Sequence, residues 1–263
     1  MTAKKNKTIS ALLSAMLLPL LLSGQCLAQY DDTLFQVSTI DALMQGVFDG
    51  FYSFNDLMAQ GDFGIGTFDA LDGEMIALDG EYYQVKSDGE VYPVPGHMMS
   101  PFAAVTHFEV DQTAALENAS NFTELTRQID LHLPSPNAFY ALRIDGTFPY
   151  VQTRSVPAQE KPYPRLADAV KNQSVFNFTN VTGSVVGIWA PDFAKGVNVP
   201  GYHLHFITED RKAGGHILEI QLANATAQVD VTAGFAMQLP SSGDFYEVNL
   251  SGDLQDELER IEK

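Results

Sequence analysis

The stretch Gly201–Glu219, GYHLHFITEDRKAGGHILE, places His203 and His205 two apart inside an apolar, β-prone run and sets His216 at the head of a second run, Ile217 to Ile220. Strand side chains alternate with period two, so His203 and His205 share a face. The connection from Glu209 to Gly215 is polar and ends in Gly-Gly, which suits a hairpin loop that needs positive φ. Pairing the two runs brings His216 beside the first two histidines. Three imidazoles on one sheet face, with a coordination position left open, describe a catalytic zinc site better than a structural one.

A lone strand histidine is ordinarily a packed residue with a satisfied hydrogen bond, and it is the third one, on the returning run, that favours a metal. A sulfur-rich ligand set is excluded, because Cys26 is the only cysteine. Two other classes of protein compete. His203, His205 and Glu209 imitate the His-x-His-x-x-x-Glu ligand set of cupins, with Gly196 and Gly214 near the expected turns; that protein would be an iron oxygenase or an isomerase. Against it, His216 returns at once on the adjacent strand. The second competitor is a non-enzymatic exported module that binds metal or carbohydrate.

Outward from this hairpin the chain reads as strands with few helices. Residues 38–46 and 53–61 each begin with Ser, carry Asp three residues on and end at Gly, so two short helices are expected there. Asp72-Gly73, Asp79-Gly80 and Asp88-Gly89 separate short β-prone runs, the pattern of a meander. A strand is expected over 102–110 and a helix over 122–131. Phe139–Ile144 and Phe148–Val156 flank Asp145-Gly146 and read as a hairpin. The Pro-rich segment Pro157–Pro164 marks the expected boundary between an N-terminal mixed-sheet part, 29–164, and a C-terminal β-rich part, 165–263. In the latter a short helix near 166–171 precedes strands at 175–178, 184–189, 227–231 and 235–239. A polar helical tail follows, with Leu254, Leu258 and Ile261 on one stripe. The fold class is α+β.

Residues 1–28 open with Lys4, Lys5 and Lys7, continue through an apolar run from Ile9 to Leu22 and close on Ala28. This is the pattern of a signal peptide, and the run is shorter than the ~20 residues of a spanning helix. The expected mature protein is exported, secreted or periplasmic, and contains no cysteine. The whole chain carries −18; the leader has three Lys and no acid, so the remainder holds 12 basic against 33 acidic residues, or −21. Such acidity excludes nucleic acid and anionic membrane as partners. An anionic substrate would need a local positive centre, which a metal ion and an arginine supply.

The histidine stretch also carries a resemblance, and so do LDGEMIALDGEYYQVKSDG (71–89), THF (106–108), FYALRIDGTF (139–148), VQTRSVPAQEKPYP (151–164) and NVPGYHLHFITED (198–210). In this order they resemble the bacterial α-acetolactate decarboxylases, over nearly all of the chain after the leader. The resemblance implies a zinc-dependent carbon-carbon lyase that converts 2-acetolactate to acetoin and CO2. It implies a mixed-sheet N-terminal part, a barrel-like C-terminal part carrying a three-histidine metal site, and a homodimer. It implies His203, His205 and His216 as ligands, Glu74 of the LDGE motif as proton donor or metal-proximal carboxylate, and Arg154 as holder of the substrate carboxylate. It aligns Glu262, in the tail's LERIEK, with a C-terminal glutamate that folds over the site, and Thr67 with a residue near it. On sequence alone Arg143 competes with Arg154, and Glu257 and Glu259 with Glu262. Loss of CO2 leaves two electrons that flow into the neighbouring ketone, so such a site needs a Lewis acid, a carboxylate-binding cation and a proton donor. The other histidines are ordinary: His107 as a packed strand residue, His97 as a loop residue beside Met98 and Met99 rather than a copper ligand, and His132 as the end of a helix.

Overall fold

The computed structural model describes Met1 and Asp32–Glu262. The expected leader therefore lies, apart from Met1, outside the described residues. From Asp32 onward these residues belong to one compact unit. No helix among them is long and apolar enough to cross a membrane.

In chain order the elements are β1 (Thr33–Val37), α1 (Ile40–Met44), β2 (Tyr52–Ser53), α2 (Phe54–Met58), β3 (Phe63–Thr67), β4 (Glu74–Leu78), β5 (Glu81–Val85), β6 (Val91–Pro93), β7 (Met99–Ser100), β8 (Ala103–Thr106), β9 (Gln112–Ala119) and α3 (Phe122–Asp130). They continue with β10 (Phe139–Ser155), α4 (Leu166–Ala169), β11 (Ser174–Ala190), β12 (Gly201–Thr208), β13 (Gly214–Thr232), β14 (Gly234–Gln238) and α5 (Gln255–Glu262). The class is α+β and strand-rich, as the inventory of runs and turns requires.

Two sheets dominate. One has seven strands in the order β14-β1-β8-β3-β4-β5-β6; the other has five, β10-β11-β12-β13-β9, and β10 pairs with β13 as well as with β11. The sequence division at Pro164 crosses both sheets. β9 and β10 precede it yet join the ladder of β11 to β13, while β14 follows it and pairs in parallel with β1. The sheets pack face to face through Ile65, Ile76 and Ala104 of one and Ala141, Val186, Ile188 and Ile207 of the other. α1, α4 and α5 gather Leu43, Leu166, Leu258 and Ile261 into a separate cluster beside this interface.

The meander β3 to β6 forms as expected. Asp79 and Gly80 both take positive φ, 56° and 80°, which gives the tight turn between β4 and β5 its twist. α2 starts as expected at Ser53, whose hydroxyl accepts from Asp56 N. For α1 the cap is Thr39, accepting from Ala42 N, because Ser38 is turned into the left-handed region at φ 59°.

The expected hairpin at Asp145-Gly146 does not form. β10 runs unbroken for 17 residues, with Gly146 opposite Gly183 on one side and Ala225 on the other. A Cβ at Gly146 would stand 2.4 Å from the Ala225 Cβ, so this glycine admits a close neighbour strand instead of a turn. The runs at 175–178 and 184–189 likewise fuse into β11, and the run after His216 continues through 227–231 as the 19-residue β13. Long strands paired on both sides carry turn-forming dipeptides without turning, since the neighbouring ladders hold the backbone extended.

Candidate metal centre

The three histidines converge. His205 stands directly opposite His216 across the β12–β13 ladder, and cross-strand partners share a face. His203 lies two residues along on that face. Ring centroids are 5.1 Å apart for His203–His205 and His203–His216 and 5.3 Å for His205–His216. One ring nitrogen from each falls within 4.8 Å of the others, and among the described residues no other such group of three is found. All three are buried.

Arg154 reaches the same face through an irregularity. The β10–β13 register shifts between Gln152 and Thr153, so that Gln152 faces Glu219 but Thr153 faces Ile217 and Arg154 faces His216. One residue of β13 is bulged out, which re-aims everything after it. Gly215, at φ 130°, permits the approach, because a Cβ there would come within 2.4 Å of the Arg154 carbonyl oxygen. Arg154, His216 and His205 thus form a row across β10, β13 and β12.

The carboxylates come from elsewhere. Glu74 opens β4, and its Oε2 lies 3.7 Å from His205 Nε2. The segment before it is unusual: Ala70 and Leu71 take φ of 60° and 59°, costing roughly 1–2 kcal/mol each for side chains in this region. Hydrogen bonds from Ala70 N to Phe48 O (2.8 Å), Gln159 N to Ala70 O (2.8 Å) and Gly73 N to Val156 O (3.0 Å) hold it. Thr67, opposite Glu74 across β3 and β4, steadies the turn by donating to Gly73 O at 2.7 Å. Glu262 arrives on the last turn of α5. Its Oε2 lies 3.6 Å from His216 Nε2 and 3.7 Å from His203 Nε2, and its Oε1 3.5 Å from Arg154 Nη2. Arg154 Nη1 also donates to Ile261 O at 2.5 Å. Leu258 and Ile261 anchor α5 in the helical cluster, while Lys195–Asp253 (2.7 Å) and Arg165–Glu257 (2.8 Å) fasten its outer side.

Burial decides the protonation of these groups. Loss of water pushes His203 down to about 3 and His205 and His216 well below their usual range, with the Arg154 charge acting in the same direction. The imidazoles are therefore neutral. His205 Nδ1 lies 2.9 Å from Met75 O. A carbonyl oxygen only accepts, so Nδ1 carries the proton and Nε2 presents its lone pair to the cluster. Burial raises Glu74 to about 7, with Glu262 adding to the rise while Arg154 and the Val156 amide oppose it. Burial raises Glu262 also, against Arg154.

Four buried polar atoms here have no hydrogen-bond partner: His205 Nε2, His216 Nε2, Glu262 Oε2 and Arg154 Nε. Unpartnered polar atoms are rare in a folded interior. Two imidazole lone pairs and a carboxylate oxygen aimed at one point fit a divalent cation, and the free Arg154 N–H beside them fits an anionic ligand. A cavity partly open to solvent lies in front of them and is lined by Glu74, Arg154, His203, His216, Glu262 and Thr67.

Residues that competed on sequence are elsewhere. Arg143 is tied to Asp79 and Asp145, both at 2.6 Å, and lines a different hollow with Glu209 and Arg211. Glu209 is exposed beyond the end of β12, so the cupin-type ligand set does not assemble. Glu257 pairs with Arg165. His97 is exposed, and His107 lies 4.0 Å from Asp62 with its side chain 41% exposed. What sequence reading missed is the apolar side of the cavity, which includes Leu43, Leu71, Phe102, Val156 and Leu166. These residues come from five separate segments, and their types are those of any core.

Neutral imidazoles, two carboxylates and an arginine around one buried cavity are the equipment of a metal-dependent enzyme acting on a small molecule. Comparison with known proteins gives the same class a family. Residues 34–252 match the family model described as "Alpha-acetolactate decarboxylase". The alpha-acetolactate decarboxylase of Methanosarcina mazei is 59% identical over 232 residues, 88% of this chain and 81% of that one. The Bacillus subtilis enzyme is 44% identical over 230 residues, 87% and 90% of the two chains. A crystal structure of alpha-acetolactate decarboxylase from Bacillus subtilis strain 168 superposes with a TM-score of 0.85 at 42% identity, covering 88% of this chain and 98% of that one. The chain belongs to the alpha-acetolactate decarboxylase family, so it is an enzyme, a carboxy-lyase. The family match ends before Glu262, whose place at the site rests on the geometry above.

Proposed function

We propose that this chain decarboxylates 2-acetolactate to acetoin with one zinc ion held by His203, His205 and His216, which leave a coordination position for substrate, and with Glu262 standing beside them. The observation that carries the reading is the convergence of His205 Nε2, His216 Nε2 and Glu262 Oε2, all buried and without hydrogen-bond partners. Zinc, when bound, supplies Lewis-acid stabilisation of the negative charge that builds on the ketone oxygen as CO2 leaves.

The residues of the chain do the rest. Arg154 offers its free Nε–H to the substrate carboxylate and fixes the direction of the bond to be broken. The bond between the carboxyl carbon and C2 breaks, and its electron pair moves into the C2–C3 bond while the ketone π electrons move to oxygen. Glu74 then gives its proton to C2. Its buried place at the head of β4, with Oε2 3.7 Å from His205 Nε2, puts this carboxyl beside the reacting carbon. One proton is taken up for each CO2 released, and solvent returns it to Glu74. The apolar cavity wall excludes water from the charge that develops.

Two properties of the assembled protein belong to the same proposal. The chain is exported, on the evidence of its basic and apolar first 28 residues. It works as a homodimer, which the edge strand β14 supports by exposing Phe235 and Met237.

Elemental analysis of the purified protein, with an acetoin assay on racemic 2-acetolactate before and after chelation, tests the reading. The expected outcome is about one zinc per chain and activity that disappears with the metal and returns with it. Bound iron with no acetoin formed would overturn it.

A further inference from the structure

The cavity in front of the imidazoles is lined by residues of two kinds. Glu74, Arg154, His203, His216 and Glu262 supply polar groups, and Leu43, Leu71, Phe102, Val156 and Leu166 supply apolar surface. A substrate whose carboxylate, hydroxyl and ketone oxygens turn to the polar groups must lay its alkyl groups against the apolar residues. Most of that wall is ordinary. Leu43 and Leu166 sit on α1 and α4, where packing into the helical cluster accounts for them.

Leu71 is different. It and Ala70 are consecutive non-glycine residues in the left-handed region, at φ 59° and 60°. Glycine would hold this turn without the steric conflict that any Cβ meets there. The turn is nevertheless locked from several sides, by Phe48, Gln159 and Val156 through the backbone bonds described above and by Leu71 N donating to Phe68 O at 2.9 Å. The locked backbone keeps the Leu71 side chain 4% exposed at the cavity wall, three residues before Glu74. Strain retained in this way is characteristic of ligand-binding positions. A strained leucine where glycine would be easier indicates that the side chain itself is needed.

We infer that Leu71 is the specificity-determining residue of the site, setting the length of alkyl group that the enzyme accepts on its 2-hydroxy-3-oxo acid substrate. The inference rests on the decarboxylase reading and deepens it.

The test is kcat/KM of the zinc-loaded protein for 2-acetolactate and for analogues lengthened by one or two methylenes, either on C2 or beyond the ketone. Wild type, Leu71→Ala and Leu43→Ala are compared. A methylene in an apolar pocket is worth on the order of tenfold in discrimination, so Leu71→Ala should raise the ratio of a lengthened analogue to 2-acetolactate by about that factor. Leu43→Ala should move it much less. An active Leu71→Ala enzyme with an unchanged ratio, or an equal change in Leu43→Ala, overturns the inference. If Leu71→Ala does not fold, Leu71→Gly, for which the left-handed backbone is free of conflict, carries the same expectation. A metal-loaded wild type that forms no acetoin would remove the decarboxylase reading and this inference with it; an active wild type with an unmoved ratio removes this inference alone.

Discussion

β13 buries ionisable groups at both of its ends, and the two ends are built to different purposes. At the start of the strand, His216 joins His203, His205, Arg154, Glu74 and Glu262, and several of their polar atoms have no partner within the protein. Near its finish, Asp230 is equally buried, 1% exposed, and its carboxyl is likewise raised to about 7, by burial and by the nearby Asp111, Asp32 and Glu109, with the Glu109 amide opposing. Yet Asp230 accepts from Glu109 N at 3.2 Å, and Asp111 accepts from Val231 N at 2.8 Å. That end is tied up in holding the β9 approach to β13. A perturbed carboxyl is therefore no mark of a site unless unpartnered atoms accompany it.

The largest effect that would break this contrast is loss of the cation site. His205→Ala and His216→Ala each remove a lone pair with no replacement nearby, and each should give protein with no stoichiometric zinc and activity down by at least about a thousandfold. Metal analysis beside the acetoin assay decides it; a variant that keeps both its zinc and its turnover would show that the imidazole is packing only.

Arg154→Ala tests the other half of the site. It should leave the imidazoles and their metal content intact while lowering kcat/KM by about a hundredfold or more, the scale on which losing a charged group aimed at the reacting anion acts. Arg143→Ala, which breaks only the pairs with Asp79 and Asp145, should keep its activity. Normal kinetics in Arg154→Ala would end its assignment to the substrate carboxylate.

The same contrast explains what could be read without coordinates. His203, His205 and His216 were legible because period-two alternation and a Gly-Gly hairpin are local physics, and the ladder obeys them. Arg154 could be named from the family resemblance, but not its alignment with His216, which depends on a bulge in β13 that leaves no mark in the residue types. Asp145-Gly146 misled, because a turn dipeptide inside a strand paired on both sides stays extended. Leu71 was illegible for the opposite reason: leucine in the left-handed region defies local preference, and only contacts from Phe48, Val156 and Gln159 keep it there. Glu262 was legible as one of several tail acids; burial of Leu258 and Ile261 selects it by fixing which face of α5 turns inward.

The smallest predicted effect concerns the end of β13 that is not a site. Asp230 has a folded-state pKa of about 7 against 3.8 for the free side chain, so the folded protein holds this proton more tightly than the unfolded chain. The resulting stability is fully present below 3.8 and is lost as pH rises from there through about 7. Between pH 5 and pH 8 the loss is on the order of 2 kcal/mol, from ~1.4 kcal/mol per unit of pKa difference. Asp230→Asn keeps an acceptor for Glu109 N and cannot ionise. Its unfolding free energy, from denaturant titrations at both pH values, should fall less between them than that of wild type, while zinc content and acetoin formation stay unchanged. An identical pH dependence in the two proteins would mean that Asp230 stays ionised in the fold, and the charge at this end of the strand would then have to be balanced by its hydrogen bond from Glu109.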